Sequence, residues 1–339
     1  MAESGSSGAA DQAGPAAEPY RHDTMTLTAR VFAWSVAGTT FAFLLNVYLN
    51  YWQGWPGGGA ALSGGGALSL LQLLIYAAGI LIPVFYVTRN KGTTLRADGL
   101  RLDNLTRYII RAAFWMALLI GLVDMVISFL RVEDLLPAIV GDELTRDLGR
   151  SKFRGAYVHV PLIAVSLVIA AFTRTLGFTW LALLVVVAEL QIVITRFIFS
   201  YEQAFMGDLV RFWYAGLFLF ASAYTLIEEG HVRVDVVYAG FKERTKGIVN
   251  LFGSILLGMS LCWVVLVLGM GGKSSIITSP LLNFEVSQSG FGMYVKYLMA
   301  GFLAIFAISM MTQFAGYMLE AYADYRGDPG KRKLESTPH

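Results

Sequence analysis

The sequence predicts an all-α fold: a polytopic membrane helix bundle of about eight transmembrane helices, with both chain ends in the cytoplasm. Three observations lead to this prediction. Hydrophobic residues make up 56% of the 339 residues and charged residues only 15%, whereas a soluble domain is about one quarter charged. Apolar runs long enough to cross a bilayer recur along the chain. The loops between these runs alternate, with one exception, between basic and non-basic.

The apolar runs define the candidate spans, because a spanning helix needs about 20 mainly apolar residues. The fourth run is short and contains Pro161. The candidate spans lie near residues 31–52, 68–88, 107–130, 156–173, 178–200, 209–229, 249–272 and 294–318.

Lysine and arginine in the loops predict the orientation, because cytoplasmic loops are enriched in both. The loops QGWPGGGAALSGGG and YEQAFMGD contain neither residue. The third loop, residues 131–155, mixes acids and bases and can contact a periplasmic partner or simply be solvated. Basic residues lie in the second loop (Arg89, Lys91, Arg96, Arg101, Arg107), the sixth loop (Arg233, Lys242, Arg244, Lys246) and the C-terminal tail (Arg326, Lys331, Arg332, Lys333).

The N-terminal residues 1–30 are rich in alanine, glycine, serine and proline, which predicts a disordered cytoplasmic tail. Acidic Glu3 and Asp11 precede the first apolar run, whereas a secretory signal begins with a basic segment. The first apolar run is therefore predicted to be an uncleaved transmembrane helix.

Few ionisable residues interrupt the spans, where a charge costs roughly 2.5–3.5 kcal/mol at the helix centre. Asp124 lies in the third span and Glu189 in the fifth. Either they form the ion path of a self-sufficient secondary transporter or channel, or they make polar contacts between helices or lie near enough to the membrane surface to reach it. Arg196 shares a helix face with Glu189, and we expect each to meet a partner on another helix or subunit. Asp208 and Arg211 have the i,i+3 spacing of a local pair.

Several function classes find little or no support. A net charge of +2 and the lack of a basic stripe interleaved with aromatics argue against a nucleic-acid partner. Cys262 is the single cysteine, and the four histidines are widely scattered, so neither a cysteine metal cluster nor a bis-histidine haem is expected. The motifs HExxH, GxSxG, GxxxxGK[ST] and CxxC are missing. We therefore expect no enzyme and no cofactor, and a membrane-embedded redox subunit remains a weak rival.

The stretch YTLIEEGHVRVDVVYAGF, residues 224–241, follows an apolar run and is unusually polar. Gly230 stands where a helix C-cap favours glycine. The alternation after it fits a short extended segment or the start of an interfacial helix. This cytoplasmic loop can be a solvated turn that only sets topology, or it can have a specific role.

Two segments resemble the small membrane subunit of tripartite ATP-independent periplasmic (TRAP) transporters. The first, LQIVITRFIFS, carries Leu190, Gln191, Arg196 and Phe197. The second, residues 206–258, begins with an acid and an aromatic-rich run and contains the hexapeptide GHVRVD. The residues that carry this second likeness are Asp208, Arg211, Phe212, Trp213, Gly230, His231, Val232, Arg233, Val234 and Asp235.

The resemblance covers roughly residues 177–322, spans five to eight, and agrees with the family's four-helix core. Gly207 and Asp208 stand where family members often have Glu-Glu or Glu-Leu. Residues 31–176 have no counterpart in the usual small subunit and are predicted to be a four-helix membrane extension. Residues 323–339 are predicted to be a second cytoplasmic tail.

The resemblance implies a non-catalytic subunit in the bacterial inner membrane. In the family, a large elevator-type subunit carries substrate with sodium, and a periplasmic binding protein delivers an organic acid anion. The small subunit braces the large one, so its implied partners are those two proteins and membrane lipids. The residues implied to hold the cytoplasmic loop or contact the large subunit are Glu228, Gly230, His231, Arg233 and Asp235. Arg196 and Asp208 are expected to hold the periplasmic end of the helix pair, and Arg211 belongs with them to the structural motif.

Overall fold

The computed structural model describes residues 23–174, 177–228, 236–287 and 292–331. The described residues contain helices and connecting segments but no strand, which confirms the all-α prediction. Within these ranges eight helices are long and apolar enough to cross a membrane, as predicted, and α4, α8 and α10 are shorter. In chain order the helices are α1 (Thr24–Tyr51), α2 (Gly66–Arg89), α3 (Leu95–Val132), α4 (Leu136–Leu148), α5 (Ser151–Phe172), α6 (Phe178–Phe199), α7 (Ala204–Ile227), α8 (Val236–Ala239), α9 (Glu243–Met270), α10 (Thr278–Asn283) and α11 (Lys296–Arg326).

Helix α1 begins at Thr24 rather than near residue 31, so residues 24–30 are helix and not part of the predicted tail. The Asp23 carboxylate caps the helix by accepting from the Thr26 amide at 2.9 Å. The hydrogen bond from the Thr26 hydroxyl, aided by Arg326, lowers the pKa of Asp23 to about 2. Arg30, which lies in the predicted tail, is fully buried and pairs with Asp98 at 2.7 Å. The sequence did not predict that residues 24–30 are helical, because Asp98 and Arg326, which bind this segment, lie far along the chain.

The bundle has a polar face at each end of its spanning helices. We call them the termini face, where the described chain begins and ends, and the opposite face. The termini face carries Asp23 and Lys331, and there Arg326 pairs with Asp23 at 2.7 Å and Arg96 pairs with Asp324 at 2.9 Å. On the opposite face, the Tyr51 hydroxyl donates to the carbonyl of Gly271 at 2.6 Å. The helices thus run up and down between these faces, as expected for an even number of spans.

The hydrophobic core lies around the two longest helices, α3 and α11. The hydroxyls of Thr106 on α3 and Thr312 on α11 are 2.9 Å apart. The ring of Phe302 on α11 lies 4.9 Å from that of Phe212 and 4.8 Å from that of Phe220, both on α7. Helix α3, from the predicted extension, therefore shares one core with helices of the predicted small-subunit region.

The third loop contains a helix that the sequence analysis missed. Helix α4 starts with Pro137 in its first turn, buries Leu136 and Leu148 at its two ends, and kinks at Gly141, where φ is 80°. Its exposed side is mixed, with Asp142 and Glu143 beside the exposed Ile139 and Leu144. A helix this short and mixed in charge lacks the long apolar run by which the spans were found.

Helices α1 and α2 approach each other at two glycines, as small residues allow in membranes. A Cβ atom placed on Gly38 would lie 2.3 Å from the carbonyl oxygen of Gly79. We expect Gly38→Val to destabilise the protein by about 1–3 kcal/mol, because the two backbones would have to separate. Unfolding by SDS titration in mixed micelles measures this loss. Gly207→Ala is the control, since no atom lies within 4 Å of that position, and an equal loss in both variants would contradict the prediction.

Candidate subunit interface and buried polar cluster

Helix α6 lies at the edge of the bundle. It buries one stripe, Leu181, Val185 and Ala188, against the rest of the chain. Only 17% of the residues in its most apolar stretch of 18 are buried, compared with 50% in the corresponding stretch of α11. Its outward face carries large apolar side chains, among them Val186, Leu190, Val193 and Phe197.

Glu189 lies on this outward face, near the midpoint of the 22-residue helix. The midpoint is about 16 Å from either helix end at 1.5 Å per residue. No ion pair or hydrogen bond of its carboxylate is found among the described residues. In the middle thirds of the spanning helices, as far as the structure describes them, no other acidic or basic side chain is exposed.

Arg196 is on the same outward face, as predicted, and is 60% exposed. It pairs with Glu202 in the short loop between α6 and α7, with 3.3 Å between its Nε and the carboxylate. In that loop, burial and the hydrogen bond to Glu133 raise the pKa of Tyr201 to about 12. Arg196 thus contacts its own loop, and the structure shows no bond from it to Asp208.

Asp208 fixes the start of α7 to the segment before α11. Its carboxylate accepts from the backbone amide of Met293 at 3.1 Å and from the Ser287 hydroxyl at 3.3 Å. The predicted local pair with Arg211 is present at 3.4 Å, although Arg211 is 74% exposed. The buried acid therefore holds two distant segments together at the opposite face.

At the termini face, Glu228 ends α7 and pairs with Arg107 of α3 at 2.9 Å. The other motif residues, Gly230, His231, Arg233 and Asp235, lie outside the described residues. Their expected roles in loop geometry and partner contact therefore stay predictions.

Asp124 is the centre of a fully buried polar cluster. One carboxylate oxygen accepts from Arg154 at 2.9 Å and lies 3.1 Å from Nε2 of His159. The other accepts from the backbone amide of Tyr294 at 2.8 Å. Nδ1 of His159 lies 2.8 Å from the Tyr297 hydroxyl, so a neutral ring can donate to Asp124 and accept from that hydroxyl.

Arg154 completes this cluster on the α5 side. It is 0% exposed, it donates to the carbonyl of Leu148 at 3.0 Å, and its guanidinium carbon lies 4.2 Å from the centre of the Tyr294 ring. The sequence did not single out Arg154, because it lies at the end of the charged third loop, where a solvated side chain is expected. One sequence signal could have identified it. Arg154 lies just before the predicted fourth span, and the preceding span contains Asp124, an acid with no partner nearby in the sequence.

The two acids singled out in the spans do not meet. Asp124 is closed off by α3, α5 and the start of α11, while Glu189 faces away from the bundle. This arrangement matches polar contacts between helices for Asp124 and leaves Glu189 without a partner in the described chain.

A cavity of about 540 Å³ opens at the termini face between α3, α7, α9 and α11. Arg96 lines it and pairs there with Glu320, and Gln313 lines its inner part. Neither Asp124 nor Glu189 lines this cavity.

Comparison with known proteins bears on the C-terminal helices. The family model described as "Tripartite ATP-independent periplasmic transporters, DctQ component" matches residues 182–323. This match confirms the resemblance noted in the sequence and covers almost all of α6 together with α7, α9 and most of α11. No curated protein and no solved structure matches the chain. The described residues thus form a multi-pass membrane protein, and residues 182–323 are similar to the small TRAP-transporter subunit.

Proposed function

We propose that this chain is the fixed, non-catalytic small subunit of a sodium-coupled TRAP transporter in a bacterial inner membrane. It braces a large elevator-type subunit, which takes up an organic acid anion delivered by a periplasmic binding protein. The observation that carries the proposal is the family match across residues 182–323. The termini face would be cytoplasmic, because the basic loops and the C-terminal tail gather there.

The packing supports a fixed scaffold rather than a moving carrier. Buried pairs join helices at both faces: Arg30 to Asp98 at the termini face, and Asp124 to Arg154 towards the opposite face. Both pairs are fully buried, so sliding one helix past another would leave a buried charge without its partner.

The extension would enlarge this scaffold. Helix α3 shares the core of α7 and α11, and Glu228 ties α7 to Arg107 of α3. We propose that residues 31–176 add membrane area and a second wall to the small-subunit domain at 177–322.

The alternative is a self-sufficient transporter or channel that uses Asp124 and Glu189. That function requires both acids to line one path. Asp124 is buried inside the bundle, Glu189 faces away from it, and neither lines the cavity at the termini face.

Reconstitution into liposomes tests the proposal. Affinity purification from the native membrane, with partners identified by mass, should first recover a large polytopic protein with this chain. Uptake driven by a sodium gradient is then expected only when this chain, that large subunit and the binding protein are all present. Uptake by this chain alone would contradict the proposal and favour the alternative.

A further inference from the structure

We infer that the outward face of α6 is the docking surface for the large subunit, and that the partner presents a basic side chain to Glu189 near the bilayer centre. The outward face comprises Val186, Glu189, Leu190, Val193 and Phe197. This inference rests on the proposed function and names the surface through which the small subunit would act.

Apolar exposure alone does not distinguish this face from one that lipid covers. Helix α2 also exposes large side chains, including Leu81, Ile82 and Phe85. Those positions need no protein partner, because lipid tails solvate apolar side chains as well as another helix does. Glu189 is what separates the two faces.

A carboxylate at this depth is costly unless it is paired, so a cationic partner would stabilise Glu189. Long basic side chains can reach the membrane surface from near a helix end, but Glu189 is short and lies at the midpoint. Arg196 is two turns away, about 10 Å along the axis, and is paired with Glu202. No described residue of this chain neutralises Glu189, and that role falls to the large subunit.

The chemistry of that molecule follows from the charge. A membrane helix with lysine or arginine at the same depth would convert an unfavourable carboxylate into a paired one. A second copy of this chain fits less well, because a two-fold contact through the same face would bring two Glu189 carboxylates together.

A capture experiment tests the inference. The full chain and its large subunit are co-expressed, and the amount of large subunit that is retained on the tagged small subunit is measured in mild detergent. We expect Glu189→Leu to reduce retention about tenfold. The matched control is Glu143→Leu, an exposed acid on α4 outside the spanning helices, which should retain the wild-type amount.

The expected effect of Glu189→Leu on stability separates a lost contact from a misfolded chain. Since Glu189→Leu removes a charge from a lipid-exposed position, the isolated variant should be as resistant to SDS unfolding as the wild type, or more so. A loss of capture would then reflect the interface. Unchanged capture with increased stability would show that Glu189 has no partner and would overturn the inference.

Photo-crosslinking locates the contact independently. A benzophenone side chain at Val193 on α6 should crosslink to the large subunit, whereas the same group at Ile82 on α2 should not. Crosslinking from Ile82 alone, or a crosslink from Val193 only to a second copy, would overturn the inference while leaving the proposed function standing. If the wild-type chain captures no large subunit at all, the proposed function itself fails.

Discussion

Replacing Arg154 by leucine is expected to lower the free energy of unfolding by about 3–5 kcal/mol, because it leaves the buried Asp124 carboxylate without its cation. Both side chains are 0% exposed and 2.9 Å apart. His159 and the Tyr294 amide would still contact Asp124, but neither supplies the permanent positive charge of the guanidinium. SDS titration followed by circular dichroism in mixed micelles measures the change.

Arg150→Leu is the matched control. Arg150 is 63% exposed and forms an i,i+3 pair with Asp147, and such exposed pairs contribute at most about 1 kcal/mol. If both arginine variants unfold at the same SDS fraction, the buried cluster does not stabilise the fold. The double variant Asp124→Leu, Arg154→Leu should recover much of the loss, since it removes both charges together.

Replacing Arg30 by leucine is expected to cost about 3 kcal/mol, for the same reason at the termini face. Arg30 donates to Asp98 at 2.7 Å and to the carbonyl of Asn90 at 2.9 Å, so it joins α1 to the α2–α3 loop and to the start of α3. Its removal leaves Asp98 with Arg101 and leaves a carbonyl without its donor. The same SDS titration, or protease resistance of α1, reports the loss.

Arg101→Leu serves as the comparison, because Arg101 binds the same Asp98 at 2.9 Å but is 48% exposed. We expect a change below about 1 kcal/mol. A loss in the Arg101 variant that equals the loss in the Arg30 variant would show that burial does not distinguish the two arginines.

The Asp124 cluster matters for the proposed function because its contacts with Tyr294 and Tyr297 join the extension to the small-subunit domain. Asp124 and Arg154 belong to α3 and α5, whereas Tyr294 lies just before α11 and Tyr297 in its first turn. A variant that loosens this cluster should therefore weaken the scaffold on which α6 is mounted. The outward face of α6 is then a surface held by the whole bundle and not by one hairpin.

Sequence reasoning recovered the spans well and their polar contacts poorly. Asp208 and Arg211 were paired correctly because their partners lie within one helix turn. Asp124 was recognised as costly, but Arg154 and His159 were not identified as its partners. Arg30 was placed in a tail, although it is buried against a residue on α3.

What the sequence determined by itself is the all-α fold, the eight spans and the likeness to the small TRAP subunit, because hydropathy, span length and short motifs are local properties of the chain. The orientation inferred from loop charges remains a prediction. The tertiary structure alone decided which charges are buried in pairs and which face outward. A partner such as Arg154 lies 30 positions from Asp124, and whether Glu189 points into or away from the bundle depends on how α6 is rotated against its neighbours. Helix rotation is set by packing over the whole bundle, which no local pattern contains.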